Sequence, residues 1–247
     1  MRSSIQHRLF LEQPLPGEGL LVLDQDQSHY LANVMRAKAG SLVALFNGRD
    51  GEWAAEIVEI KKRAVMIRIT EKTKEQAAEP DLMLAFAPIK KARIDFVAQK
   101  ATELGVGHLQ PMYTRRTNVE RVKTERLLAN AVEAAEQCER LTVPIVSEPI
   151  KLEKLLADWP ADRMIMFCDE DLSGETAHAA LAKLSADERS RPWAILIGPE
   201  GGFDPEERTA IRAMNQTVVV SLGPRVLRAD TAAMAAISLW QSAIGDW

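Results

Sequence analysis

Five short, mostly apolar runs recur through the last two thirds of the chain: Leu82–Pro88, His108–Tyr113, Arg163–Cys168, Trp193–Gly198 and Thr217–Gly223. Their apolar residues are consecutive rather than alternating, the pattern of strands buried on both faces. Helical spacing fills the gaps between them, over Arg93–Leu104, Thr124–Arg140, Glu175–Leu184, Pro205–Met214 and Asp230–Ala243. Strands that alternate with helices predict an α/β unit with a parallel sheet covered by helices.

The first 74 residues read differently. Short strand candidates lie at His7–Leu11, Gly19–Leu23, Leu42–Asn47, Glu52–Ile60 and Ala64–Thr70. A Gly-Arg-Asp-Gly turn separates the third from the fourth. A single helix is expected, capped by Ser28 and carrying Tyr30, Leu31, Val34 and Met35 on one face. Many short strands with one helix suggest a small β-barrel. The polar stretch Thr73–Asp81 reads as a linker, so domains are expected at 1–74 and 75–247.

Composition narrows the function classes. Lys+Arg number 31 and Asp+Glu 35, a net charge of −4, which argues against a binder driven by overall positive charge. The balance is uneven, +2 over residues 1–74 and −6 over 75–247. Cys138 and Cys168 stand thirty positions apart and form neither a disulfide framework nor a zinc knuckle. His7, His29, His108 and His178 are scattered, so no metal is expected. The opening residues hold no apolar run of the secretory type, and Thr231–Ile244 is too short to cross a bilayer. A cytoplasmic protein without membrane contact is expected.

In open α/β sheets, ligands bind beyond the carboxyl ends of the strands. Two such ends stand out. Trp193–Ile197 runs into Gly198-Pro199-Glu200-Gly201-Gly202, and Val218–Val220 runs into Leu222-Gly223-Pro224-Arg225-Val226-Leu227-Arg228. Neither is a dinucleotide fingerprint or a P-loop, and no GxSxG or HExxH occurs. The two glycine-rich loops, expected at neighbouring strand ends, suit transfer chemistry governed by positioning and electrostatics.

The run Ile197–Glu207, IGPEGGFDPEE, followed by Ser221–Ala233, SLGPRVLRADTAA, resembles the RsmE family of ribosomal RNA methyltransferases in the knotted SPOUT superfamily. HYLANVMRAKAG (His29–Gly40), KATELGV (Lys100–Val106) and EAAEQCERLTVP (Glu133–Pro144) resemble further motifs of that family, in the same order. The resemblance implies a PUA-like N-terminal barrel that docks RNA and a C-terminal domain with a deep trefoil knot. It implies S-adenosylmethionine as cofactor, a homodimer, and methylation of N3 of one uridine in 16S ribosomal RNA, as naked RNA or in the small subunit. The chain departs from the family at Glu139, where glycine is usual, and at Ala229-Asp230, where Thr-Glu is frequent. Two other readings stay open: a related methyltransferase acting elsewhere, such as a ribose 2′-hydroxyl of transfer RNA, or a non-catalytic RNA-binding assembly factor.

Arg228 is placed to stabilise charge on the uracil ring, and Glu103 and Glu136 are tentative base or anchor groups. Ile197, Gly198, Pro199, Glu200, Gly201, Gly202, Leu222, Gly223, Arg225, Val226, Leu227 and Thr231 are expected around the cofactor. Arg8, Arg36, Lys61, Lys62, Arg63, Arg115, Arg116 and Arg121 are expected to grip RNA phosphates. Arg115–Arg126 and Ile89–Lys100 each carry a local charge of +3.

Overall fold

The computed structural model describes residues 5, 7–61, 64–171 and 174–247. The chain divides into two compact units, Met1–Ala78 with Ala135–Val143, and Glu79–Ala134 with Pro144–Trp247. The division therefore falls four residues beyond the expected boundary. It also assigns a distant segment to the first unit, which no local composition signals.

In the first unit the elements are β1 (His7–Phe10), β2 (Gly19–Val22), α1 (Gln25–His29), β3 (Leu42–Phe46), β4 (Glu52–Lys61) and β5 (Ala64–Lys74). The five strands make one sheet in the order β1-β3-β4-β5-β2, antiparallel except for the β1–β3 pair. Register shifts along β4–β5 coil the sheet about a core of Leu9, Leu31, Leu45, Ile57 and Ile67. The expected helix is present but begins earlier. Asp24 caps it, with a reciprocal bond from Gln27, and it continues as a π-helical turn over Tyr30–Val34. Ser28 is not a cap. It is buried, donates to the Leu23 carbonyl and accepts from Val65 N, so its hydroxyl ties the helix to β5.

The same unit holds Ala135–Val143 through a buried polar network. Arg8 is only 9% exposed and donates to the carbonyls of Ala135 (2.7 Å), Glu136 (3.3 Å) and Arg140 (3.0 Å). It also pairs with Glu52 at 2.8 Å and lies 4.3 Å over the Phe46 ring. The Glu136 carboxylate accepts from Phe10 N and the Tyr30 hydroxyl, both at 3.0 Å. Buried charge is tolerable here because each group is paired and hydrogen-bonded.

The second unit contains β6 (Leu82–Phe86), α2 (Lys91–Glu103), β7 (His108–Tyr113), α3 (Thr124–Gln137, its last turn counted with the first unit), β8 (Ile145–Val146), β9 (Ile150–Lys151), α4 (Leu152–Ala157) and β10 (Met164–Cys168). It continues with β11 (Glu175–Thr176), α5 (Ala177–Ala182), α6 (Ala186–Ser190), β12 (Trp193–Ile197), α7 (Pro205–Arg212), β13 (Thr217–Ser221) and α8 (Ala229–Ala243). The sheet is parallel, in the order β11-β13-β10-β12-β6-β7-β8, with β9 also on β7. Alternate residues of the same strands feed two cores. Leu82, Leu84, Met166, Trp193 and Ile195 face one core with α2, α5 and α8; Met83, Ala85, Ile165, Phe167 and Leu196 face the other with α4 and α7. Among the described residues no helix is long and apolar enough to cross a membrane.

Candidate active site

The carboxyl ends of β6, β7, β10, β12 and β13 share one edge of the sheet, because all run parallel. The two glycine-rich loops leave from this edge, but not from neighbouring strands. β10 lies between β12 and β13, and its acidic loop Asp169-Glu170-Asp171 separates them.

The loop after β12 is tied down on every side. A Cβ on Gly198 would stand 2.7 Å from the Phe203 ring. Gly202 has φ +69°, and a Cβ there would stand 2.2 Å from the Glu170 carboxylate. That carboxylate accepts from Phe203 N at 3.0 Å and from Arg208. Pro199 is buried and its carbonyl accepts from Gly202 N at 2.9 Å, closing a tight turn. Asp204, with Pro205 at the first helical position and a reciprocal bond to Glu207, caps α7. Glu200 takes no part in that cap; it is exposed and has no ion-pair partner among the described residues. Arg208 and Arg212 neutralise Asp169, and Arg212 also bonds Asp171 at 2.9 Å. Burial pushes the half-buried Cys168 thiol, at the end of β10, well above its ordinary pKa, so it stays protonated.

The loop after β13 is open. Ser221 is buried and accepts from Gly223 N at 3.3 Å, but Pro224, Arg225, Val226 and Arg228 are exposed, Val226 to 77%. Gly223 has φ +110° and no atom within 4 Å of a Cβ position. The amides of Arg225, Val226 and Leu227 have no partner among the described residues. Leu222 packs against the core, and Leu227 is half-buried. Arg228 stands immediately before α8 with an extended backbone, and its guanidinium has no partner among the described residues. Asp230 does not pair with it. Asp230 bonds Thr231 N at 2.9 Å and lies 3.7 Å from Arg93, while Thr231 itself is exposed.

Arg115 and Arg116, from the loop after β7, reach the glycine loop. Arg116 donates to the Gly201 carbonyl at 3.0 Å, and Arg115 pairs with Asp204 at 2.9 Å and Glu206 at 2.5 Å. Both are exposed, but much of their charge is already met within the protein.

Several expected residues are placed elsewhere. Glu103 ends α2, which returns the chain to the edge where strands begin, and it pairs with Lys100 at 2.7 Å. A helix that leaves a strand's carboxyl end must deliver its own C-terminus to the opposite edge, so Glu103 is removed from the reacting centre. Glu136 is occupied inside the first unit, and Arg8 is buried there as an anchor rather than a phosphate grip. Arg36 is exposed with φ +53°, and exposed Lys61 pairs with Glu59 at 2.9 Å. Lys62 and Arg63 lie outside the described residues. Sequence reasoning overlooked Asp169 and Glu170. Their signal was visible, an acidic run directly after a buried strand. Among the described residues no group of three or more His, Cys, Asp or Glu is placed to hold a metal.

A two-unit chain with ligand loops at one edge of a parallel sheet matches two family descriptions. Residues 76–241 match an RNA methyltransferase domain and residues 23–70 an RNA methyltransferase PUA domain. The fold and site thus define an RNA methyltransferase carrying a PUA domain. The chain belongs to the ribosomal RNA small subunit methyltransferase E family, being 32% identical over 233 residues to the member from Rickettsia conorii, across 94% of this chain and 93% of that one. Among solved structures, a methyltransferase from Legionella pneumophila with its bound cofactor S-adenosylmethionine superposes with a TM-score of 0.88 at 30% identity, covering 98% of this chain and 99% of that one. The family member from Neisseria gonorrhoeae, bound to S-adenosylmethionine, gives 0.87 at 26% identity with the same coverage.

Proposed function

We propose that this protein uses S-adenosylmethionine to methylate N3 of a specific uridine in 16S ribosomal RNA of the small ribosomal subunit. The observation that carries the reading is the open Leu222–Arg228 loop, with a glycine whose Cβ position faces open space, unpartnered amides and an unpaired guanidinium at the ligand edge of the sheet, among the described residues.

The residues fit that cofactor. Ile197, Leu222 and Leu227 offer apolar walls, and the free amides of Arg225, Val226 and Leu227 suit the acceptor atoms of an adenine or a carboxylate. Pro199, Gly198 and Gly202 shape the loop and the Gly201 carbonyl is held by Arg116, whereas the side chains of Glu200 and Thr231 and the open face of Gly223 stand free to contact a ligand. When bound, the cofactor supplies an electrophilic methyl group on a sulfonium centre. Uracil N3 must lose its proton, in this reading to solvent, before its lone pair can react, and the resulting charge spreads onto the flanking carbonyl oxygens. The Arg228 guanidinium, free of internal partners, stabilises that charge and favours deprotonation. Neither Glu103 nor Glu136 serves as base in this reading, for the reasons of placement given above.

The first unit docks RNA, the trefoil knot forms part of the second, and the protein works in the cytoplasm as a homodimer. Support for the last point comes from α2 and α8, two helices that pack together and each carry an exposed large apolar side chain, Phe96 and Leu239. Sedimentation as a monomer at working concentration would contradict it. The activity is tested with labelled cofactor and small subunits from cells that lack this protein. Label is expected in one nucleoside, identified by mass spectrometry as 3-methyluridine. A methylated ribose, or no incorporation, would overturn the reading.

A further inference from the structure

A cavity of about 690 Å³ opens within the second unit beside the carboxyl ends of β6 and β7. Its floor is apolar, built from Ile89, Ile94, Val122 and Leu127, all buried. Its wall carries four cations, Lys90, Arg121, Lys123 and Arg126, against two acids, Asp95 and Glu120. One acid is already met: Asp95 accepts from Arg126, and from Asn130 at 3.2 Å. Lys90, Arg121 and Lys123 are exposed and have no ion-pair partner among the described residues. Three unpaired cations around an apolar floor are unfavourable to leave together, and they suit a ligand with a flat apolar face and anionic flanks. The cavity shares its edge of the sheet with the glycine loop, and the loop after β7 that supplies Asn118–Lys123 to the cavity also supplies Arg116, which bonds Gly201.

We propose that this cavity is a second nucleotide subsite, which seats a base flanking the methylated one while Lys90, Arg121 and Lys123 hold the adjoining phosphates. Splayed single-stranded bases are recognised by apolar and guanidinium surfaces in this manner. The proposal rests on the reading of the protein as a ribosomal RNA methyltransferase. It adds that substrate is gripped at a site separate from the reacting base. Such a subsite pulls the strand out of pairing, which N3 chemistry requires because pairing buries N3.

The test uses the full-length protein, small-subunit RNA and three readouts. Arg121→Glu with Lys123→Glu is expected to raise KM for RNA about tenfold or more, leave cofactor affinity within twofold, and lower the salt slope of RNA binding by about two. Val119→Trp, at the cavity wall, fills the space without changing charge. It is expected to raise KM with no change in salt slope. In the parent protein, 4-thiouridine placed beside the target nucleotide is expected to crosslink to residues 118–127. Parent KM and slope in a charge-reversed protein that binds cofactor would overturn the proposal, as would a crosslink confined to other peptides. An unchanged KM in Val119→Trp would remove the base from the cavity. If the parent itself fails to methylate small-subunit RNA, the functional reading fails instead, so the two failures are distinguishable.

Discussion

The loops after β12 and β13 carry similar glycine-proline signatures and have opposite physical states. The first is clamped by Phe203, Glu170 and the cap of α7; the second has an unfilled glycine, free amides and an exposed arginine. Glycine at Gly198 and Gly202 is demanded by neighbours already present, whereas Gly223 faces open space. A glycine-rich loop at a strand end is therefore not by itself a ligand contact. The clamped loop is fixed by its own neighbours, whereas the open one keeps groups unsatisfied within the protein.

Substitutions at paired positions break or sharpen that contrast. Gly202→Ala forces an L residue into φ +69° against the Glu170 carboxylate, and is expected to cost about 2–4 kcal/mol in denaturant unfolding. Gly223→Ala meets backbone strain alone in a loop free to relax, so cofactor affinity measured by calorimetry should fall more than stability does. The reverse ranking would dissolve the distinction. Glu170→Gln keeps the bond to Phe203 N but removes the charge facing Arg208, and a loss of about 1–2 kcal/mol is expected. Its thermal unfolding should shift accordingly, and an unshifted transition would mean the acidic loop does not hold the clamp.

Smaller effects concern the same themes. Glu139 occupies φ +61°, the left-handed conformation for which the usual glycine of the family is suited. Its carboxylate is recruited by Lys74 at 2.9 Å, which holds it below the ordinary value of 4.5. Glu139→Gly trades backbone relief for the lost pair, so stability should change by less than about 1 kcal/mol. The pair contributes above the ordinary glutamate value and is lost as pH falls through the lowered one, so in acid only the backbone relief remains and Glu139→Gly should be the more stable of the two proteins. At the strand end between the two loops, Cys168 should resist alkylation at pH 8 while exposed Cys138 reacts. Equal labelling would show that this strand end is not closed.

Much of this was legible in the residues. The five central strands announce themselves by unbroken apolar runs, and Asp204-Pro205 with Glu207 spells out the start of α7. Strands β8, β9 and β11 are two residues each and carry no periodicity to read. Ser28 and Asp24 are both good caps on paper; burial of Ser28 against β5 decides between them. For Arg8 and Glu136 the difference between expectation and placement has one cause. Arg8 meets partners more than a hundred positions away, and Glu136 answers to Phe10 and Tyr30, so only tertiary structure shows that these charges are already used. The order of strands, which puts β10 between the two loops, is likewise invisible to any local pattern.

In the proposed reaction the open loop acts through Arg228. Single-turnover methylation of small-subunit RNA by Arg228→Ala, at saturating RNA and cofactor, tests it most directly. A rate lower by about 10²–10³-fold with cofactor affinity unchanged is the expected result; methylation at the parent rate would contradict it.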